Sequence, residues 1–206
     1  MDKFSALFLS VVLHPLLMPF YGTLLMFYTV DAWFIYGLTG TAKLMISGVI
    51  LLNTLIVPVL FLFFMLKTGR VSDIQVTRKK ERYLPLLVTL IFYVTTYVVL
   101  SNLGLSRALL TFLLVGIIAL TMSFLVNLFW KISMHMIGIS GVFGAFYSLT
   151  LQYNLDFNNY FIWLFLACGL LGTARIRLNQ HTPAQIFSGV LLGFLCGAIP
   201  VGFFMS

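Results

Sequence analysis

The stretch TARIRLNQHTPAQIFSGVLLGFLCGAIPVGFF, residues 173–204, decides the fold class of this chain. From residue 183 to residue 204 no side chain is charged, and this length falls within the roughly 17–25 residues that a helix needs to cross a bilayer. Just before that segment stand Arg175, Arg177 and His181. A basic link followed by a long apolar segment predicts a helix that enters a membrane at this point.

The composition of the whole chain agrees with a membrane protein. Of 206 residues, 61% are apolar and only 8% are charged. A soluble globule cannot bury so much apolar surface, whereas a bundle embedded in a bilayer can leave it facing lipid. We therefore predict an all-α, polytopic helix bundle that forms a single integral membrane domain over residues 1–206.

Seven segments approach the length of a spanning helix. The first contains His14, Pro15 and Pro19, so it is predicted to be kinked or to start in the membrane interface. Six spanning helices with one irregular segment is therefore the alternative to seven. We place the segments near 4–29, 42–66, 84–103, 108–130, 134–152, 159–176 and 183–204.

The net charge of +7 is distributed unevenly between the two sides of this bundle. In a soluble chain such a charge would indicate nucleic acid, but here it indicates orientation and lipid headgroups, and no nucleic-acid partner is expected. We predict an integral protein of the cell (inner) membrane with the basic face in the cytoplasm. With a cytoplasmic N-terminus the opposite face collects only Lys43 and Arg107, and the basic face collects Lys3, Lys67, Arg70, Arg78, Lys79, Lys80, Arg82, Lys131, Arg175 and Arg177.

The link before the last helix has the residues of a capping box. Thr182 is placed as the N-cap, Pro183 suits the first helical position, and Gln185 follows three residues after the cap. His181 therefore precedes a helix N-terminus, where free N–H groups and the helix dipole favour an anion. Arg175, at the end of the preceding helix, can bring a planar guanidinium to a phosphate.

Two further basic clusters reach the same face of the bundle. In KISMH, residues 131–135, Ser133 is placed to cap the next helix, Lys131 adds a positive charge, and His135 is a proton donor near physiological pH. RKKER, residues 78–82, is typical of a topology signal and a headgroup contact as well as of a binding site. Two histidines and several cations are the groups that phosphoryl transfer through a phosphohistidine needs, with no metal or other cofactor.

These clusters resemble the three motifs of the type 2 phosphatidic acid phosphatase superfamily, a family of membrane lipid phosphatases. The family motifs are K-x-x-x-x-x-x-R-P, P-S-G-H and S-R-x-x-x-x-x-H-x-x-x-D. Here the third reads ARIRLNQHTPAQ, in which five residues separate Arg175 from His181, and the second reads ISMH, with Ser133 and His135. The resemblance covers the C-terminal half of the chain and, more loosely, residues 78–85.

The resemblance implies an enzyme of phospholipid metabolism, a hydrolase acting on a membrane lipid. It implies that His181 is the nucleophile that accepts the phosphate, and that His135 protonates the leaving group and then activates water. Arg175, Arg82 and Ser133 would hold the phosphoryl oxygens. The implied substrate is a lipid phosphomonoester or a diphosphate, such as phosphatidic acid, phosphatidylglycerol phosphate or a polyprenyl (di)phosphate.

The chain departs from the family pattern at several positions. The aspartate of the third motif is Gln185, which can orient His181 through a hydrogen bond but adds no charge. The proline of the first motif, Pro85, comes three residues after Arg82 instead of one. The other differences are Ala174 for serine, Ile132 for proline, Met134 for glycine and Gln75 for lysine.

The missing lysine of the first motif has three candidate replacements. Lys79, Lys80 and Lys131 are the nearby ammonium groups that could bind phosphate. Lys131 is equally well interpreted as an anchor whose stem lies along apolar surface. His14, beside Pro15, is interpreted as a structural partner of a helix break.

Glycines on the last helix allow another helix to approach closely. Gly189, Gly193 and Gly197 repeat every four residues, and glycines also follow His135. The pattern predicts either close packing between the two histidine-bearing helices or a homodimer face, and the sequence does not separate these.

Three other functions use the same residues. A catalytically silent relative that binds anionic lipids is favoured by Gln185, and a lipid phosphotransferase differs only in the acceptor. A small anion transporter or channel would need polar residues through several helices. Only scattered ones are present, such as Asn53, Asn102 and Asn127, which favours a site at one membrane face.

Overall fold

A computed structural model describes residues 1–28, 37–74, 76 and 78–205, except for the side chains of Lys79 and Met205. All regular secondary structure in these ranges is helical. Two 3₁₀ turns, Pro15–Leu17 and Lys79–Arg82, and a π-helical segment, Leu52–Ile56, interrupt or precede α-helices. The α-helices are α1 Lys3–Val12, α2 Met18–Tyr28, α3 Gly40–Leu51, α4 Val57–Lys67, α5 Tyr83–Asn102, α6 Arg107–Phe129, α7 Met134–Tyr153, α8 Asn158–Arg177 and α9 Pro183–Met205.

Seven helical segments of the described chain are long and apolar enough to cross a membrane. Each coincides, within a few residues at either end, with one predicted from the sequence, so the prediction of an all-α polytopic bundle is confirmed. The segments are Lys3–Tyr28, Gly40–Lys67, Lys80–Asn102, Arg107–Phe129, Met134–Tyr153, Asn158–Arg177 and Pro183–Phe204.

The first segment is broken at His14, as the sequence predicts. Helix α1 ends at Val12, and the ring Nδ1 of His14 accepts the backbone N–H of Leu16 at 3.3 Å, which caps the 3₁₀ turn that follows. The hydroxyl of Tyr21 donates to the carbonyl of Val12 at 3.0 Å and so ties the two halves of the break together. Since Pro15 has no N–H to continue α1, the chain changes direction here.

The second segment contains a π-helical widening just before a proline. The backbone N–H of Val57 reaches back to the carbonyl of Leu52, a spacing of five residues. Pro58 has no N–H for the carbonyl four residues earlier, and its ring would crowd that carbonyl in a regular α-helix. The wider turn over Leu52–Ile56 relieves this crowding, so the segment continues as α4.

The glycine repeat on α9 packs against α7. A Cβ placed on Gly193 would overlap Ser140 Oγ and the backbone of Ile137, and one placed on Gly197 would overlap the carbonyl of Gly141. The repeat is therefore used for close packing of the two histidine-bearing helices, the first of the two alternatives above. This contact places the N-terminal end of α7, which carries His135, beside the N-terminal end of α9, which His181 precedes.

The three basic clusters meet at one end of the bundle. Arg177, at the end of α8, donates from Nε to the carbonyl of Met1 at 3.1 Å, so the N-terminus and the end of α8 lie at the same end. Helix α9 begins there because it follows α8 after a short link, and α7 runs parallel to α9 in close contact. Arg82, just before α5, lies near enough for its charge to act on His181, so α5 also starts at that end. We call it the basic end.

Candidate functional site

A cavity of about 430 Å³ lies between the N-terminal segment, the start of α5 and the bundle formed by α6 and α7. Its cationic and histidine lining residues all come from the basic end of the bundle or from the break in the first span. They are His14, Arg82, His135, Arg175 and His181. The structure thus brings together four of the predicted site residues from three distant parts of the sequence.

Below these groups the cavity wall is mostly apolar. Along α6 the lining runs from Ser123 to Phe112, and at 1.5 Å per residue this is about 16 Å. That depth is about half of the roughly 30 Å hydrocarbon core of a bilayer. We call this part the apolar slot, and its walls include Tyr93, Phe112, Val115, Gly116, Ala119 and Leu120.

The capping box predicted at the start of α9 is present and it orients His181. Thr182 Oγ1 accepts the backbone N–H of Gln185 at 3.4 Å, and Gln185 Oε1 accepts the backbone N–H of Thr182 at 3.2 Å. The same Oε1 lies 3.1 Å from His181 Nδ1. Since a backbone N–H can only donate, this amide atom is the oxygen, and His181 Nδ1 must carry the proton. The lone pair of the neutral ring is therefore on Nε2.

His181 is buried, with 8% of its surface exposed, and this controls its charge. The pKa of His181 is lowered to about 4, mainly by burial; the hydrogen bond to Gln185 opposes this shift, and the positive charges of Arg175, Lys131 and Arg82 add to it. The ring is consequently neutral at physiological pH. A neutral imidazole with its lone pair on Nε2 is the form that can attack phosphorus.

His135 is fixed by the N-terminal segment of the chain. Its Nε2 lies 3.0 Å from the carbonyl oxygen of Ser10, which can only accept, so Nε2 carries a proton. The remaining nitrogen, Nδ1, is then the one available for proton transfer. His135 is the second residue of α7 and lines the cavity.

Arg175 is a buried cation. It is 6% exposed, it lines the cavity, and its Nε has no hydrogen-bond partner among the described residues. The chain turns directly after it, because Gln180 N–H donates to the Arg175 carbonyl at 3.1 Å and Asn179 adopts a positive φ of 54°. A buried charge without a full set of partners is costly, which indicates a place for an anion.

Arg82 is held by the loop that precedes α5. Its Nε donates to the carbonyl of Val76 at 2.8 Å, and Val76 adopts a positive φ of 47°. Positive φ is rare for a β-branched residue, so the loop is strained where it holds Arg82. Of the arginines that the structure describes in this loop, Arg82 lines the cavity, whereas Arg78 is exposed and pairs with Glu81 at 3.4 Å.

Two other predicted phosphate ligands, Ser133 and Lys131, are not among the residues of the cavity wall. Ser133 is the N-cap residue of α7, but its hydroxyl makes no capping bond; it is fully buried and has no partner among the described residues. Lys131 is half-buried beside the site. Burial and the charges of Arg82 and Arg175 lower the pKa of Lys131, and Asp73 opposes them. The side chain of Lys79 lies outside the described part of the chain.

Comparisons of this chain with models of protein families, with curated proteins and with solved structures find no match. The chemistry of the cavity is therefore what indicates a function. In the described part of the chain, no three histidine, cysteine, aspartate or glutamate side chains converge as metal ligands would. The positive charge on the cavity wall comes from Arg82 and Arg175, and Lys131 lies near enough for its charge to interact with both.

His14 is the cavity residue whose position the sequence did not reveal. Its capping role in the helix break agrees with the interpretation from the sequence. In addition its ring lies against that of His135, with centroids 5.4 Å apart and planes at 81°. A contact between residues 121 positions apart leaves no local pattern in the sequence. The one signal was that the chain has only three histidines, two of which were already predicted to belong to the site.

Proposed function

We propose that this chain is a membrane lipid phosphatase that hydrolyses a lipid phosphomonoester or a lipid or (poly)prenyl diphosphate through a phosphohistidine, without a metal ion. One observation carries the proposal. A single cavity holds His135, His181, Arg82 and Arg175 at the basic end, with His14 beside His135, and continues below them as the apolar slot.

In the first step the Nε2 lone pair of His181 attacks phosphorus, and the P–O bond to the leaving group breaks. The bound phosphate anion favours the imidazolium form of His135, and the leaving oxygen takes a proton from Nδ1 of that ring, which becomes neutral. The phosphorylated His181 ring is cationic and keeps its Nδ1–H on Gln185 Oε1, 3.1 Å away in the free protein. Gln185 thus supplies the orientation that a carboxylate would supply, but no charge.

In the second step water takes the place of the leaving group. The neutral Nδ1 of His135 accepts a proton from the water, the water oxygen attacks phosphorus, and the P–N bond breaks. Inorganic phosphate leaves, His181 is neutral again with its lone pair on Nε2, and His135 is protonated for the next cycle. One P–O bond is broken and one is formed, so the overall reaction is hydrolysis.

The arginines supply the electrostatic part of the proposed mechanism. Arg175 and Arg82 carry fixed positive charges to the cavity wall, and Lys131 lies close enough for its charge to interact with both. Preorganised cations stabilise charge on transferring phosphoryl oxygens more strongly in a site shielded from water. Ser133 and Lys79 stay candidates for this role.

The apolar slot favours the proposal that the substrate is an amphiphile. A phosphate at the level of the arginines would leave an acyl or prenyl chain to occupy about 16 Å of apolar wall. We propose that this face of the protein is cytoplasmic and that the protein belongs to the cell membrane, because the basic residues collect there.

A second candidate is a catalytically silent relative that binds anionic lipids. The observation in its favour is that Gln185, and not a carboxylate, lies against His181 Nδ1. A silent protein would use the same arginines for binding but would form no phosphohistidine.

The test is phosphate release by the purified protein in detergent with EDTA, over a panel of lipid phosphates and diphosphates. His181→Ala serves as the blank. We expect release that is absent in the variant, together with an acid-labile phosphoprotein. Binding of the same lipids without release on any of them would contradict the phosphatase and support the silent binder. Phosphate that appears on an added alcohol and not as inorganic phosphate would assign a transferase.

Sidedness needs a separate measurement. In a background with Cys168→Ala and Cys196→Ala, single cysteines would be introduced at Thr68, near the basic end, and at Asn158, at the opposite end; both residues are exposed. Labelling of intact cells with a membrane-impermeant thiol reagent should modify Asn158→Cys and spare Thr68→Cys. The reverse result would place the site on the outer face.

A further inference from the structure

The break in the first span contributes two groups to His135. The backbone carbonyl of Ser10, in the last turn of α1, accepts a hydrogen bond from His135 Nε2–H at 3.0 Å. The ring of His14 lies edge-to-face on the ring of His135. No motif of the family includes this segment. The N-terminal segment therefore packs against the residue to which the proposed function gives proton transfer.

The position of the break relative to α7 is set by backbone packing. A Cβ placed on Gly138, one turn after His135, would lie 2.9 Å from Met18 Cγ and 3.2 Å from Pro15 Cα. The absence of a side chain at Gly138 lets the break approach α7 closely. His14 is thus held against His135 by the contact of Ser10 before it in the chain and by those of Pro15 and Met18 after it.

The hydrogen bonds of His14 define its protonation. Its Nδ1 accepts the Leu16 N–H, so that nitrogen has a lone pair, and the neutral ring carries its proton on Nε2. Protonating Nδ1 would break the cap of the 3₁₀ turn. A ring that stays neutral can lie against His135 without adding a second positive charge when His135 is an imidazolium.

We propose that His14 is a positioning residue for His135. By contact with its ring, His14 keeps His135 in the orientation in which Nε2–H is bound to Ser10 and Nδ1 is free to give a proton to the leaving group. The proposal rests on the proposed function, because it assumes that His135 transfers a proton.

One substitution separates this role from that of a helix break. In His14→Asn the short side chain can still accept a backbone N–H, as asparagine does at helix N-caps, but the ring is lost. A purely structural His14 predicts that His14→Asn behaves as wild type. The positioning role predicts a defect in proton donation.

Such a defect depends on the leaving group. An alkoxide needs a proton to leave, whereas p-nitrophenolate leaves without one. Single-turnover rates of His181 phosphorylation would be measured with the lipid phosphate that the wild type hydrolyses best and with p-nitrophenyl phosphate. For His14→Asn and His14→Ala we expect the rate to fall roughly 10- to 100-fold with the lipid substrate and less than about threefold with p-nitrophenyl phosphate.

Two comparisons complete the test. His135→Ala should show the same dependence on the leaving group, and the double variant His14→Asn/His135→Ala should be no slower than His135→Ala alone, because residues that act as a unit are not additive. Leu17→Ala, in the same 3₁₀ turn but not in the cavity wall, is the matched control and should keep the wild-type ratio of the two rates.

The outcomes distinguish the two proposals. Equal loss on both substrates, or wild-type rates in His14→Asn, would overturn the positioning role while leaving the phosphatase intact. If the wild type phosphorylates His181 with neither substrate, the proposed function fails and the role of His14 fails with it.

Discussion

Arg175 and Arg177 lie two residues apart at the end of α8 in opposite surroundings. Arg175 is buried and lines the cavity, whereas Arg177 is exposed and donates to the Met1 carbonyl at 3.1 Å. Residues two apart on an α-helix point in nearly opposite directions. The charge of Arg175 therefore lies in the cavity and that of Arg177 at the surface. Replacing each in turn tests which of the two charges the function needs.

We expect Arg175→Met to lose activity and gain stability. If the cavity is the proposed phosphoryl-transfer site, removing a preorganised cation from it should lower kcat/KM about 100- to 1000-fold. Replacing a buried charge by a side chain of similar length removes a desolvation cost, so the ligand-free protein should unfold at a higher temperature. Both quantities are measured in detergent, by phosphate release and by intrinsic fluorescence on heating.

The control for this prediction is Arg177→Met. Its kcat/KM should stay near that of the wild type, since its side chain is bound at the surface. Equal kinetic losses in the two variants would mean that the end of α8, and not the charge in the cavity, is what activity requires. A lower unfolding temperature for Arg175→Met would show that Arg175 is paired in a way that stabilises the fold.

Gln185 is predicted to set the reactivity of His181. In Gln185→Met the Nδ1–H of His181 loses its acceptor, and a hydrogen bond to a group that becomes charged is worth about 1.5–3 kcal/mol. The phosphorylation rate should therefore fall about 10- to 150-fold. Gln185→Glu places a carboxylate against the same ring and should raise the rate, because it stabilises the phosphorylated, cationic ring.

Gln180→Met is the matched control for Gln185→Met. It makes the same change from glutamine to methionine, but at a position in the link before α9. It should be kinetically silent. If Gln185→Met matched the wild type in the phosphorylation rate, the contact between Gln185 and His181 would have no part in the reaction.

The low pKa of His181 predicts how stability changes with pH. The folded pKa is about 4 and the ordinary value is 6.5, so the unfolded chain takes up the proton first as the pH falls. The stability contributed by the neutral ring is complete above pH 6.5 and is lost between pH 6.5 and pH 4. The unfolding temperature of the wild type should therefore fall as the pH is lowered over this range, and that of His181→Gln should fall less steeply.

Bound anion should reverse part of this effect. A negative charge beside His181 favours the protonated ring and raises its pKa, so inorganic phosphate at fixed concentration should flatten the acid fall of the wild type. An identical pH profile for the wild type and His181→Gln would show that His181 does not titrate below its ordinary range.

The helical architecture could be predicted from the sequence because it depends on local properties. The end of a spanning segment is encoded by neighbouring residues, as with the capping box of Thr182 and Gln185, which the structure contains as predicted. The kink in the first span was one of the two alternatives predicted from His14, Pro15 and Pro19. The count of spans then brought the basic clusters to one face without knowledge of any contact.

The parts of the site that could not be predicted depend on contacts through space. Ser10 and His14 reach His135 across more than a hundred residues, and Gly138 permits this only because α7 packs beside the break. The hydroxyl of Ser133 looks like a cap and an anion ligand in the sequence, but the tight packing of α9 on α7 at Gly189 leaves it buried.

Ala119 tests whether the apolar slot receives the substrate chain. It lies on α6 in the cavity wall, one helical turn deeper than Ser123. Ala119→Phe should fill the lower part of the slot without touching the arginines. Since each buried methylene contributes about 0.8 kcal/mol, losing even two should raise KM for a long-chain phosphate about 10-fold or more.

The comparison substrate for Ala119→Phe is butyl phosphate, whose chain is too short to reach the blocked part of the slot. Its kcat/KM should be unchanged, because the phosphate-binding groups are the same. Leu125→Phe is the matched control: the residue is exposed on the same helix, where a larger side chain would face lipid. If Ala119→Phe left both substrates unaffected, the chain would bind elsewhere, along the outer surface of the bundle, and an equal loss on both would mean that the substitution disturbs the phosphate end of the cavity.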